Sequence, residues 1–185
     1  MEYPDRLAMM RALIPPNAVI CEIGVFTGDF ANQLLSLRPS KLILCDPFQG
    51  VVSSGDADGN HVRHAYLPAV YLQIAQQAAS LPQLVLLRGY SHELLPLLEP
   101  HCLDAIYIDG DHSYEGVKRD LEIAQRLVKP GGLICGHDYE MNPAKTENCY
   151  DFGVKRAVDE FCAATGYRIL SKGMDGQISY AIRKE

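Results

Sequence analysis

The sequence predicts an α/β fold: one domain over residues 1–185, with a doubly wound, mostly parallel sheet and helices on both faces. Three observations carry this. Short apolar runs rich in Val, Ile and Leu alternate with longer segments of helical period, which is the βαβα order of a parallel sheet. The runs lack polar alternation, as strands covered on both faces do. The tail then changes to two strand-like runs joined by a short polar turn, so the last strand is expected to run antiparallel.

The elements follow in order. A helix is expected from about Pro4 to Ile14, in an N-terminal segment (1–17) that can serve as a lid. Strands are expected at Ala18 to Ile23, Lys41 to Cys45, Gln83 to Leu87, Ala105 to Ile108 and Leu133 to Cys135, with a helix of apolar period starting at Phe30. Between Ser113 and Lys129, the residues Val117, Leu121, Ala124 and Val128 fall on one stripe, and Glu122 stands four residues ahead of Arg126 on the outer face. Pro130-Gly131-Gly132 stops that helix. A later helix runs from Val154 to Thr165 and ends at Gly166; the hairpin is Tyr167 to Ser171 with Gln177 to Ile182. Two long polar loops, 49–64 and 140–152, have the length of lids or binding loops.

Composition narrows the partners. The net charge of −6, from 17 basic and 23 acidic residues, offers no basic field for a nucleic-acid backbone and no polybasic membrane patch. A small-molecule partner is expected. No apolar run approaches the ~20 residues that span a bilayer. The six cysteines form no C-x-x-C pair and three of them lie in apolar runs, which suits free thiols in a reducing, cytoplasmic setting.

The polar residues gather at strand ends, where open α/β sheets bind ligands. The first strand runs into Glu22-Ile23-Gly24-x-x-x-Gly28, whose glycines allow a sharp turn and a close backbone approach. This is not the Gly-x-Gly-x-x-Gly spacing of a dinucleotide site, which counts against an NAD-dependent oxidoreductase. The second strand ends at Asp46-Pro47. That carboxylate suits the two hydroxyls of a ribose, or caps the turn at Pro47. The third ends in Gly89-Tyr90-Ser91, where Ser91 is either a helix cap or a ligand contact. The fourth empties into Asp109-Gly110-Asp111-His112-Ser113-Tyr114 and the fifth into Gly136-His137-Asp138-Tyr139. Asp56-Ala57-Asp58-Gly59-Asn60 mimics a calcium loop, but His61 and Leu67 stand where Gly and a bidentate Glu belong.

The ordered set of Glu22-Ile23-Gly24-x-x-x-Gly28, Asp46, Gly89-Tyr90-Ser91, Asp104 to Asp109, Pro130-Gly131-Gly132 and the closing hairpin resembles the class I S-adenosylmethionine-dependent methyltransferases over nearly the whole chain. The resemblance implies a Rossmann-like sheet of seven strands in the order 3-2-1-4-5-7-6. It places Gly24 under the methionine part of S-adenosylmethionine, Asp46 at the ribose and Gly89 to Ser91 beside the adenine, and so gives a cofactor set of Glu22, Gly24, Gly28, Asp46, Pro47, Gly89, Tyr90, Ser91 and Asp109. The motifs at Asp109 and His137 are similar to a narrower branch, small-molecule O-methyltransferases that include macrocin-type sugar methyltransferases. There Asp109, His137 and Asp138 correspond to ligands of Mg²⁺ or another divalent cation, although relatives usually carry Asp where this chain has His137.

For that chemistry, an imidazole among the ligands moves the preference toward Mn²⁺, Fe²⁺ or Zn²⁺. The candidate bases are Asp111, His112 and His137. Helix capping by Asp111 or Ser113, and orientation of Asp138 by His137, are the structural alternatives. Acceptor recognition falls to Tyr3 to Pro16, Gln49 to Tyr66 and Tyr139 to Phe152, with a second copy of the chain, in a homodimer, as a further contributor. Tyr139, Tyr150 and Phe152 are candidates for stacking on a ring. A non-catalytic module that keeps only the nucleotide pocket is the alternative function.

Overall fold

The computed structural model describes residues 1–49, 66–141 and 152–185. Among them, the chain order is β1 (Glu2–Tyr3), α1 (Arg6–Leu13), β2 (Val19–Ile23), α2 (Asp29–Leu35), β3 (Lys41–Asp46), α3 (Leu67–Ser80) and β4 (Leu84–Arg88). There follow α4 (Ser91–Leu94), β5 (Leu103–Ile108), α5 (Tyr114–Leu127), β6 (Val128–Met141), α6 (Val154–Thr165), β7 (Ile169–Gly173) and β8 (Gln177–Arg183). The bodies of the expected loops at 49–64 and 140–152, the Asp56 to Asn60 motif and Tyr150 lie outside the described residues.

The sheet order is β1-β7-β8-β6-β5-β2-β3-β4. Without β1 this is the expected seven-stranded order, and β8 runs antiparallel to both β6 and β7. The eighth strand is an addition. Glu2 and Tyr3 pair in parallel with Lys172 and Gly173, and a two-residue strand carries no periodicity to read.

Strand alternation divides the core between the two faces. Ile20, Leu42, Leu44, Ala105, Tyr107, Leu133 and Cys135 pack with Met9 and Met10 of α1, Phe30 and Leu34 of α2 and Ile74 of α3. Cys21, Ile23, Ile43, Cys45, Ile106, Ile108 and Ile134 pack with Val117, Leu121 and Ala124 of α5 and Val154, Ala157 and Val158 of α6. Burial raises the Cys45 and Cys135 thiols to about 12, so both behave as apolar filling.

Strand β6 corrects one expectation. The sequence stops this strand at Cys135 and puts His137 and Asp138 in the loop beyond it; the strand in fact runs on to Met141. Pairing with β8 breaks between Gly136 and Glu140 and resumes at Glu140↔Ile178, so the polar pair sits in a bulge-like irregularity. Asp138 has φ +56 there, a left-handed conformation that Asp tolerates better than most residues. Bulges of this kind re-aim side chains. Helix α5 ends at Leu127, short of the expected Lys129, so Val128, expected on its apolar stripe, instead takes extended backbone and opens β6; α6 ends in a left-handed cap at Gly166 as expected.

Candidate functional site

The carboxyl ends of β2, β3, β4, β5 and β6 form one rim, and the rim has two parts. At β2, Gly24 has φ +83, and a Cβ there would lie 2.0 Å from the Asp109 carbonyl oxygen. Only glycine lets the two backbones meet this closely. Its N–H donates to Cys45 O, and Asp109 N–H donates to Ile23 O. Gly28, also at positive φ, caps α2. The turn between the two glycines wraps Asp46: Oδ2 accepts from Val25 and Phe26 N–H at 2.8 and 3.1 Å, and Oδ1 accepts from Phe48 N–H at 2.6 Å across Pro47. The turn-capping role of Asp46 is thus present. Glu22 is buried with no hydrogen bond to Oε2 among the described residues, and burial pushes its pKa well up, with the Asp109 charge adding to the shift.

The loop after β4 completes this part. The Tyr90 ring stacks on His92 and its hydroxyl donates to Gln49. Ser91 does not cap α4; its hydroxyl donates to Asp120 Oδ1 at 2.6 Å, just past Gly89. Asp120 is nearly fully buried, and burial raises its pKa to about 6 against the opposing Ser91 hydrogen bond.

The second part is built from ionisable side chains. His112 Nε2 lies 3.4 Å from Asp109 Oδ1 and 3.2 Å from Asp138 Oδ2; His137 Nδ1 lies 3.7 and 3.2 Å from the same two atoms. Arg6 arrives from α1, donates to Asp109 Oδ2 at 3.2 Å and stacks over the Phe30 ring at 4.2 Å. Burial alone would lower the His112 pKa, but the Asp109, Asp138 and Asp111 carboxylates outweigh it and raise the pKa. Burial would likewise raise Asp138, yet His137, His112 and Arg6 hold it below the usual carboxylate range.

Asp109, His112, His137 and Asp138 therefore come together, and Asp111 does not join them. Its Oδ1 accepts from Ser113 N–H, its Oδ2 lies 3.9 Å from Arg119, and it covers Gly116 in the first turn of α5. Ser113 is the cap of that helix. Tyr139 is a core residue whose hydroxyl donates to Asp159, and Phe152 packs edge-on against His112. Arg6 and Asp120 were not singled out by motif. Both nevertheless carry a readable sign, a charged residue on an otherwise apolar helix stripe: Arg6 with Met9 and Met10, Asp120 with Val117 and Ala124.

Asp109, His137 and Asp138 each offer one ligand atom, all within 4.8 Å of one another. Two carboxylates and an imidazole on converging atoms fit a divalent cation. Among the described residues, no helix is long and apolar enough to cross a membrane.

Comparison with known proteins agrees with this layout. The chain is similar to the O-methyltransferase NovP at 22% identity, over 97% of this chain and 80% of that one, with a TM-score of 0.67. It is similar to an O-methyltransferase from Bacillus cereus in complex with SAH at 17% identity, over 96% and 78%, with a TM-score of 0.58. A spermidine synthase from Thermotoga maritima, 17% identical over 98% and 58%, also has a TM-score of 0.58, so the shared fold does not by itself fix the reaction. A protein of Acanthamoeba polyphaga mimivirus is 36% identical over 54 residues, which span 28% of this chain and 24% of that one. The methyltransferase-domain family model matches residues 21–139, a span that runs from β2 to β6 and includes the Gly24 turn. The chain belongs to the methyltransferase-domain family and has the fold of the class I S-adenosylmethionine-dependent methyltransferases.

Proposed function

We propose that the protein transfers a methyl group from S-adenosylmethionine to a hydroxyl of a small molecule, sugar or phenol, with a divalent cation holding the acceptor. The observation that carries this is the contact between Gly24 and the Asp109 backbone, which joins the glycine turn to the ionisable cluster. In such a transfer the acceptor oxygen displaces the sulfonium sulfur in line, and its proton passes to a base. The enzyme's work is then mainly to hold two reactants at one distance.

The roles divide along the rim. Glu22 Oε2, which has no hydrogen bond among the described residues, is assigned the amino group of the methionine part. Gly24 and Gly28 let the backbone come under it. Among the described residues Asp46 Oδ1 accepts one N–H, which leaves a lone pair for a ribose hydroxyl. Pro47 holds that turn, and Gly89, Tyr90 and Ser91 border the base. Asp109, His137 and Asp138 would hold the cation, which when bound lowers the pKa of the acceptor hydroxyl and fixes its position. Of the candidate bases Asp111, His112 and His137, His112 is the one that stands in the cluster without being assigned to the cation.

The test is incubation with methyl-labelled S-adenosylmethionine and a panel of sugars and phenols, with and without Mg²⁺, Mn²⁺ or Zn²⁺. Labelled methyl ethers that disappear with a chelator are expected. Calorimetric binding of the cofactor without turnover on any acceptor would favour a binding module instead.

A further inference from the structure

We infer that Asp120 is a positioning residue of the cofactor site: it fixes the Ser91 hydroxyl as a hydrogen-bond acceptor, so that Ser91 selects a base carrying an exocyclic amino group, adenine, over one carrying a carbonyl there. This rests on the S-adenosylmethionine reading above, in which Ser91 borders the base. Asp120 stands on the apolar stripe of α5 with Val117, Leu121 and Ala124, and only 3% of it is exposed. Among the described residues one side-chain hydrogen bond reaches it, from the Ser91 hydroxyl to Oδ1 at 2.6 Å. Its Oδ2 lies 3.9 Å from the place a Cβ on Gly110 would take, so the carboxyl sits against the turn after β5. Ser91 is in turn held close to Asp46: Arg88 is in register with Asp46, and Gly89 N–H donates to the Asp46 carbonyl.

The direction of the hydrogen bond between Ser91 and Asp120 carries the inference. A serine at a helix start ordinarily offers its oxygen to backbone N–H groups, but Ser91 turns its hydroxyl to Asp120 instead. Burial raises the Asp120 pKa to about 6, so at pH 8 the carboxyl is ionised and can only accept. The Ser91 proton is therefore committed to Asp120, and the 2.6 Å length is that of a charge-assisted bond. What the hydroxyl has left for a ligand is its lone pairs. Adenine presents an amino donor where guanine, and hypoxanthine likewise, present a carbonyl acceptor. Against that carbonyl two acceptors face each other, and both stay unpaired. Without the carboxylate, a serine hydroxyl can turn to either base, because it both donates and accepts.

The experiment is calorimetry of the full chain at pH 8 with S-adenosylhomocysteine and with its hypoxanthine counterpart, S-inosylhomocysteine. The adenine form is expected to bind about 30-fold more tightly, the scale of a polar group left unpaired. In Asp120→Leu, which removes the acceptor and keeps a side chain of similar reach, the two ligands should bind nearly equally. A role for Asp120 in packing alone would weaken both ligands alike, so an unchanged ratio in this variant overturns the inference. Should Asp120→Leu fail to fold, Ser91→Ala and Ser91→Thr decide. The ratio is expected to collapse in the first and persist in the second; a ratio that survives in Ser91→Ala, or is lost in Ser91→Thr, overturns the inference. The unaltered protein separates the two levels. Equal binding of both ligands removes this inference alone, whereas no binding of S-adenosylhomocysteine removes the S-adenosylmethionine reading with it.

Discussion

The two parts of the rim are built from different materials. At β2 and β3 the site is backbone: two glycines at positive φ and N–H groups aimed at Asp46. At β5 and β6 it is side chain: two carboxylates, two imidazoles and an arginine drawn from α1, β6 and the turn after β5. The first is held by sterics, which tolerate no substituent. The second is held by charge, which can be edited while the fold survives. The contrast teaches that one half of the site is part of the architecture and the other half is mounted on it.

The largest effect is expected at the backbone half. Gly24→Ala drives a Cβ into the Asp109 carbonyl and forces a positive φ on alanine, so it should cost more than about 3 kcal/mol of stability. Thermal and urea denaturation would report this, and an unchanged midpoint would erase the contrast. The charged half predicts the reverse. Asp109→Asn should lower methyl transfer by about 100-fold or more, the scale on which loss of a group that stabilises developing charge is felt. Its melting temperature should stay within a few degrees of the unaltered protein; loss of fold along with activity would show that the cluster is structural.

Asp120 sharpens the comparison, because it is a charged group buried on the backbone side. Its pKa is raised by burial to about 6 from the ordinary 3.8. The folded state therefore binds its proton more tightly than the unfolded state, and the stability this gives is present below about pH 4 and lost as pH rises through 6. The difference is about 3 kcal/mol. Asp120→Asn should remove this slope, leaving the variant less sensitive than the unaltered protein between pH 4 and 7 in urea titrations; parallel slopes would contradict the burial argument.

How far each half could be read from the sequence follows from the same difference. A backbone site needs glycines at fixed spacing after an apolar strand, so Glu22 to Gly28 and Asp46 were legible, as were the element order and the bounds of α6, whereas the spatial order of the strands came only with the family resemblance. The ionisable half was legible only in its parts on neighbouring strands. Asp109 and Asp138 announce themselves as carboxylates closing apolar runs. Arg6 shows only as a charge on an apolar helix stripe; its partner is 103 residues away, and only the fold brings them together. The bulge in β6 was missed for a related reason: His137 and Asp138 look like loop residues until β8 is seen to resume pairing beyond them. Asp111 shows the opposite error, a motif residue whose spacing suggested the cluster while its carboxylate is engaged with the start of α5.

The pairing of β1 with β7 has a consequence for how the molecule is made. Arg6 is translated well before the residues that anchor it: Glu2 and Tyr3 pair with Lys172 and Gly173, and the Arg6 N–H donates to Asp175. A chain leaving the ribosome can thus close β2 through β5 around the glycine turn long before the countercharge of Asp109 is in position. In order of assembly, the first side chain of the charged cluster to be synthesised is the last to be seated.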